Sequence, residues 1–195
     1  MTKQYKVWMA GATGAVGEAV LSILAERKFP VAELVPLASE RSAGAKVEFD
    51  GKSLTVKNLA DYDFSGVDIA FFSAGAKVSR AHAPRAAAAG AVVIDNTSEF
   101  RYQDDIPLVV SEVNPEAIAQ YANRGIIANP NCSTMQMLVA LAPIHRAVGI
   151  TRINVATYQS VSGAGRSGME ELAKQTAALL GFQEISPSKF SKQIA

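Results

Sequence analysis

The segment Gly11-Ala12-Thr13-Gly14-Ala15-Val16-Gly17 restricts the fold of this chain more than any other. Before it, Lys6 to Ala10 is a short apolar strand. After it, Glu18 to Arg27 carries apolar residues at Ala19, Val20, Ile23 and Leu24, the spacing of a helix. A strand, a glycine turn and a helix in succession form the context in which such glycines cradle a phosphate. Gly11 permits the sharp turn, Gly14 lets backbone approach a pyrophosphate, and Gly17 lets the helix pack closely. The anion then rests on the helix N-terminus, and Ala12, Thr13, Ala15 and Val16 complete the cradle. The spacing is G-x-x-G-x-x-G rather than G-x-G-x-x-G, so a purely structural turn is the competing reading.

The pattern continues in the same style. Glu33 to Ala38 reads as a second strand ending in Ser39-Glu40-Arg41-Ser42, where a dinucleotide fold meets the adenosine ribose. Ser39, Arg41 and Ser42 suit a 2′-phosphate, hence NADP, while Glu40 is the acid that a bare 2′-hydroxyl would favour. A solvated polar loop is the plain alternative. Val47 to Lys57 reads as a hairpin turning at Asp50-Gly51. Val67 to Ser73 is a buried strand whose end, Ser73-Ala74-Gly75, is small enough for a cofactor to lie across it. Val78 to Ala89 is helical, with Pro84 as a local break, Gly90 as its cap and His82 as a structural residue. Ala91 to Asp95 is another strand; Leu108 to Val110 and Pro115 to Ala122 follow as strand and helix. Short apolar strands alternating with helices predict an α/β fold with a doubly wound, mostly parallel Rossmann-like sheet.

Asn129-Pro130-Asn131-Cys132-Ser133-Thr134 holds the single cysteine of the chain. Gly125 to Ala128 runs into it as a strand, and Met135 to Ala142 leaves it as a helix that Ser133 or Thr134 can cap. A thiol in the first turn of a helix faces unpaired N–H groups and the positive end of the macrodipole. Both favour thiolate, the form that acts as nucleophile. The surrounding residues are polar, unlike those around a packed cysteine; a nucleophile and an inert small residue both remain open on this segment alone. Arg101, in the polar loop Asn96 to Tyr102 after the strand ending at Asp95, is placed to clamp an anion, with a plain surface arginine as the alternative.

Composition sets limits on these readings. The chain has 195 residues, 49% hydrophobic and 19% charged, with formal net charge +1. That near-neutral balance argues against a nucleic-acid or polybasic membrane partner. No apolar run approaches the roughly 20 residues that cross a bilayer, and Met1 to Gln4 leaves no room for a signal peptide before the first strand. One cysteine cannot form an internal disulfide, which suits the cytoplasm. His82 and His145 show no metal-ligand spacing, so no metal is expected; His145 reads as a cation near a helix end that Pro143 terminates or kinks.

Beyond the cysteine the pattern changes. Thr151 to Ser160 reads as one long strand, followed by Val161-Ser162-Gly163-Ala164-Gly165-Arg166 and a helix from Ser167 to Leu180. One strand and one helix cannot bury a core alone, so an apolar face is expected to stay exposed. The domain division expected is 1–130 for a dinucleotide-binding domain and 131–195 for the first part of a second, α+β catalytic and dimerisation domain.

From Tyr5 onward the chain resembles the aspartate-β-semialdehyde dehydrogenase family. The glycine turn, Ser98-Glu99-Phe100-Arg101, Asn129 to Thr134 and Gln159 to Gly165, in this order, carry the resemblance. It implies NADPH-dependent reductive dephosphorylation of L-aspartyl-4-phosphate to the semialdehyde, on the route to lysine, methionine and threonine, in a homo-oligomer. It also implies Cys132 as the acyl-forming nucleophile, Gln159 orienting the acyl group, and Arg101 and Asn131 holding phosphate. Ser162 and Gly163 would join the cofactor-binding residues. The family's catalytic histidine and further basic residues match neither His82 nor His145, so the chain alone is expected to bind NADP and turn over poorly. The rivals are N-acetyl-γ-glutamyl-phosphate reductase, with the same covalent chemistry on a longer acyl phosphate, and a non-catalytic interaction module; Asn131 and the Gln159 segment favour the aspartyl enzyme.

Overall fold

Strands buried on both faces read as unbroken apolar runs, because alternate side chains enter two different cores. β1 (Tyr5–Ala10) shows this directly. Val7 and Met9 pack with Leu21 and Val47, while Trp8 and Ala10 pack on the opposite face with Ala83, Ala86 and Phe72. The computed structural model describes residues 3–195, which divide into two compact units, one ending at Ile153 and the other spanning Asn154–Ala195.

The first unit is built on a six-stranded parallel sheet in the order β5-β2-β1-β6-β7-β8. Besides β1 it contains β2 (Val31–Ala38), β5 (Lys57–Asn58), β6 (Ile69–Phe72), β7 (Val92–Asp95) and β8 (Ile126–Ala128). The chain leaves β1 for β2 on one side and later returns to β6 on the other. That reversal puts the crevice for a ligand beyond the carboxyl ends of β1 and β6. Helices α1 (Ala15–Glu26) and α2 (Ala76–Ala88) supply Leu21 to one core and Ala83 and Ala86 to the other. β3 (Lys46–Phe49) and β4 (Lys52–Thr55) form a separate antiparallel hairpin. Its Asp50-Gly51 turn has φ of 49° and 72°, the left-handed pair that matches strand twist.

Several elements differ from the sequence pattern. α2 runs through Pro84, and α3 (Cys132–Val148) runs through Pro143. A proline removes only one intrahelical bond, and Pro143 lies on an exposed stretch where water can serve the orphaned carbonyl. α3 ends instead at Gly149, whose amide bonds the His145 carbonyl. His145 accepts the Ile150 amide through Nδ1 at 3.0 Å, a side-chain bond that closes the end of the helix. Pro115–Asn123 winds as a 3-10 helix, and the strand expected at Leu108 to Val110 shrinks to one bridge between Leu108 and Ala128. Thr151 to Ser160 forms no strand. Its β-branched and aromatic residues favour extended backbone, but a strand needs a ladder partner, and none pairs with it among the described residues.

The second unit holds a 3-10 turn (Val161–Ala164) and α4 (Arg166–Leu180). Glu171, 4% exposed, accepts hydrogen bonds from the amides of Ser188, Lys189 and Phe190 and from the Ser188 hydroxyl. Gln175 bonds the Ile194 amide one turn further along the helix. These two side chains tie the final segment to α4.

Candidate active site

Three strand ends meet at the crevice. The amides of Gly11 and Ala12 donate to the Leu37 carbonyl at the end of β2, at 2.8 and 3.2 Å. Gly11 has φ of 91°, and a Cβ there would lie 2.8 Å from the Ser73 carbonyl oxygen at the end of β6. Glycine is required on both counts. Gly14 is the N-cap of α1 with no side-chain cap, so the first amides of that helix are left for an anion. Thr13, Ala15 and Val16 surround the same turn, which is partly open to solvent.

Beside it, Ser39 precedes a 3-10 turn (Glu40–Ser42), with Ser39 and Arg41 exposed. Ser73, Ala74 and Gly75 form the turn from β6 into α2, with Gly75 at φ 95° as its N-cap. The sequence-predicted cofactor residues of this unit therefore lie on the turns that follow β1, β2 and β6. The cradle has the features a dinucleotide requires: glycines where a Cβ would clash, an uncapped helix start, and a cation with hydroxyls one strand away.

A second cluster lies at the ends of β7 and β8. Cys132 is the first residue of α3 and is exposed. The cap is Asn131 and not Ser133 or Thr134: its Oδ1 accepts the Ser133 amide at 2.9 Å. The helix begins three residues earlier than the apolar run suggests, because Cys132, Ser133 and Thr134 fill its first turn. With Oδ1 turned to the helix, Asn131 can offer a ligand its amide nitrogen as a donor.

Arg101 is half-buried, with Nε donating to the Asn129 carbonyl at 2.9 Å and Nη2 to the Asn96 carbonyl at 3.4 Å. A guanidinium carries five N–H donors. Three therefore have no protein acceptor among the described residues; of the two in use, one grips the backbone that leads to Cys132 and the other the start of the loop that carries Arg101 itself.

Sequence reasoning missed the groups under this cluster. Asp95, fully buried at the end of β7, accepts the Ser79 hydroxyl at 2.6 Å and the Thr97 hydroxyl at 2.8 Å. Burial pushes its carboxyl above the usual range, opposed by both hydroxyls and by the Arg101 charge. Arg80 on α2 forms a bidentate pair with Glu99 at 2.6 and 2.9 Å, pinning the same loop from outside. The one signal in the sequence was an acid closing an apolar strand.

His82 is half-buried within α2. Its Nδ1 accepts from Arg85, and burial together with the Arg85 charge pushes its imidazolium below the usual range. Among the described residues no group of three or more His, Cys, Asp or Glu could hold a metal.

In the second unit, Gln159 precedes the 3-10 turn, where the Ser160 hydroxyl accepts from both the amide and the hydroxyl of Ser162. The Gln159 side chain lies over Gly163, since a Cβ there would come within 2.5 Å of its Nε2. Gln159, Ser162 and Gly163 thus form one local cluster.

A parallel sheet whose strand order reverses beside a glycine turn, with an exposed thiol at a neighbouring strand end, defines a dinucleotide-binding domain of the dehydrogenase class. The comparisons agree on a narrower group. The family model described as semialdehyde dehydrogenase, NAD binding domain, matches residues 6–121, and that of the semialdehyde dehydrogenase dimerisation domain matches residues 141–195. The chain belongs to the semialdehyde dehydrogenase family.

Among curated relatives it is 63% identical over 195 residues to aspartate-semialdehyde dehydrogenase 2 of Vibrio cholerae, covering 100% of this chain and 58% of that protein. A crystal structure of aspartate semialdehyde dehydrogenase II complexed with ASA, also from Vibrio cholerae, superposes with a TM-score of 0.96 at 62% identity, covering 100% of this chain and 58% of that one. The Candida albicans aspartate semialdehyde dehydrogenase with NADP is 27% identical, with a TM-score of 0.62 over 76% of this chain and 48% of that one. The chain thus spans less than two thirds of the length of these relatives.

Proposed function

We propose that the chain provides the cofactor-binding and thiol-bearing part of an NADP-dependent, phosphorylating aspartate-semialdehyde dehydrogenase, which reduces L-aspartyl-4-phosphate to L-aspartate-4-semialdehyde. The observation that carries this reading is Arg101, held on two backbone carbonyls beside the Cys132 loop with three N–H donors without a protein acceptor. A fixed cation with open donors next to a thiol suits a substrate that is both acyl donor and phosphate.

The Cys132 sulfur attacks the acyl carbon as thiolate, the C–O bond to phosphate breaks, and phosphate leaves with the electron pair. Arg101 binds the departing phosphate, Asn131 donates from its amide nitrogen, and Gln159 orients the acyl group now held on sulfur. NADPH, when bound, would supply a hydride to the acyl carbon; the C–S bond breaks, its electron pair returns to Cys132 as thiolate, and the aldehyde is released. Gly11 to Val16 would hold its pyrophosphate, Ser39, Arg41 and Ser42 its 2′-phosphate, and Ser73 to Gly75 would let it lie across the strand end; Ser162 and Gly163 are assigned to the cofactor by the family resemblance alone.

The division at residue 130 then separates cofactor binding from the catalytic and dimerisation part. A homo-oligomer is supported by the dimerisation-domain match and by apolar residues exposed on α3, among them Val139, Ile144 and Val148. A mechanism resting on one exposed thiol suits the cytoplasm.

The test is phosphate-dependent oxidation of aspartate semialdehyde by the full-length polypeptide with NADP, beside Cys132→Ala and beside N-acetylglutamate semialdehyde as substrate. Turnover with the aspartyl aldehyde, lost in Cys132→Ala, is expected. Retained turnover in that variant, or preference for the acetylated aldehyde, would overturn the reading. The 195-residue chain alone should bind NADP and turn over poorly, because neither of its histidines lies beside Cys132 in sequence or serves as a positioned proton donor in the motif.

A further inference from the structure

We infer that Asp95 is the positioning residue of the anion clamp: from its buried place at the end of β7 its carboxylate anchors the turn that carries Arg101, through Thr97, while its carbonyl holds the Asn129 amide. The inference rests on the reading of Arg101 given above. The connections run through three residues. Asn129 donates its amide to the Asp95 carbonyl at 2.8 Å and accepts from Arg101 Nε at 2.9 Å with its own carbonyl. Asn96, the residue after Asp95, accepts from Arg101 Nη2. Thr97, next again, donates its hydroxyl to Asp95 Oδ2 and accepts the Glu99 amide at 3.2 Å. Ser79 holds the other carboxylate oxygen from α2. Asn129 also follows directly on β8, and the Asn96 amide donates to the Phe72 carbonyl at 2.8 Å; the carboxylate adds to this ladder by holding the turn itself through Thr97.

The chemistry of the pair explains why a carboxylate is suited to this place. Asp95 forms no ion pair within 4 Å among the described residues, and a buried acid without a partner cation is costly to ionise. The Ser79 and Thr97 hydroxyls, and after them the Arg101 charge, favour its ionised form against burial. In direct contact, a carboxylate would occupy the guanidinium donors bidentately. Placed one layer below, it attracts the cation and leaves three N–H groups for the substrate anion.

The experiment uses the full-length enzyme, reading the KM for inorganic phosphate in the oxidative direction, kcat, and the NADP dissociation constant. Asp95→Asn should raise the phosphate KM by about 3- to 30-fold, the range for residues that act without touching ligand. NADP affinity should fall clearly less than phosphate binding, because the glycine turn is held by Leu37 and only Ser79 links Asp95 to the Ser73–Gly75 turn. In an Arg101→Ala background Asp95→Asn should add nothing further to that KM. An unchanged KM in Asp95→Asn, with a raised one in Arg101→Ala, overturns this inference and leaves the clamp standing. An unchanged KM in Arg101→Ala overturns the clamp and this inference together. Equal losses of Asp95→Asn in both backgrounds, or parallel losses of phosphate and NADP binding, mark a general structural role and overturn it as well. Should Asp95→Asn fail to fold, Thr97→Val and Thr97→Ser decide: the valine should raise the phosphate KM and the serine, which keeps the hydroxyl, should restore it. Identical values for the two overturn the inference.

Discussion

A Cβ at Gly17 would lie 2.2 Å from the carbonyl oxygen of Gly11 and 2.8 Å from the Cα of Ala12. The first helical turn and the end of the glycine turn are thus packed backbone on backbone, with no flexible side chain to give way. Gly17→Ala should therefore destabilise the full-length protein by about 1–3 kcal/mol, the cost of overpacking, read as a lower urea midpoint. Gly14→Ala is the control. Gly14 has extended backbone, φ −88° and ψ 160°, and its Cβ would meet only the Gly11 oxygen at 3.3 Å. An unchanged midpoint in Gly17→Ala would show that α1 is not seated on the turn.

The sheet was legible because burial on both faces erases polar residues from the strands, so β1, β6 and β7 stand out as short apolar runs between glycine turns. The Asp50-Gly51 hairpin was legible because few residue pairs tolerate two left-handed conformations. Thr151 to Ser160 was misread because strand formation depends on a partner, and local propensity holds no information about one. Pro84 and Pro143 were misread as breaks because a single lost hydrogen bond is tolerated where the rest of the helix is held.

Asn131→Ala should remove the cap from α3 and expose the Ser133 amide, at a cost of about 1 kcal/mol. The check is hydrogen exchange at Ser133, which should speed up in the alanine variant and return towards wild type in Asn131→Asp. Equal exchange in all three proteins would mean that the helix start is held elsewhere.

Arg41→Ala should narrow the preference for NADP over NAD. A charged hydrogen-bonding contact to the 2′-phosphate contributes about 1.5–3 kcal/mol, roughly 10- to 150-fold in affinity. Titrating both cofactors against wild type and variant gives the gap directly. If wild type binds NAD as tightly as NADP, the turn after β2 is only polar surface.

At the thiol, the sequence singled out the loop before α3 and misplaced the start of the helix. A single cysteine among Asn, Pro, Ser and Thr is conspicuous, and Arg101 follows a strand end where ligands gather. The cap moved from Ser133 or Thr134 to Asn131 because the apolar run starts a full turn after the helix does. Asp95 was invisible as a site residue because its partners Ser79, Thr97 and Asn129 are spread over 51 residues, and only the parallel order β6-β7-β8 joins them.

Glu171 gives the last prediction. Burial alone would raise its carboxyl; the amides of Lys189, Ser188 and Phe190 and the Ser188 hydroxyl outweigh that and hold it at about 2, against an ordinary 4.5. A folded-state value below the unfolded one means that ionised Glu171 stabilises the attached segment. That contribution is fully present above about pH 4.5 and is lost as pH falls towards 2. Protection factors for the Ser188, Lys189 and Phe190 amides, which remove the pH dependence of intrinsic exchange, should therefore drop across this window. Glu171→Gln cannot reproduce the pattern, because its NH2 group turns a donor towards amides that need acceptors. It should show low protection at every pH and no transition between 4.5 and 2. Wild-type protection that stays level through the window, or a glutamine variant protected like wild type at pH 6, would separate the final segment from this carboxylate.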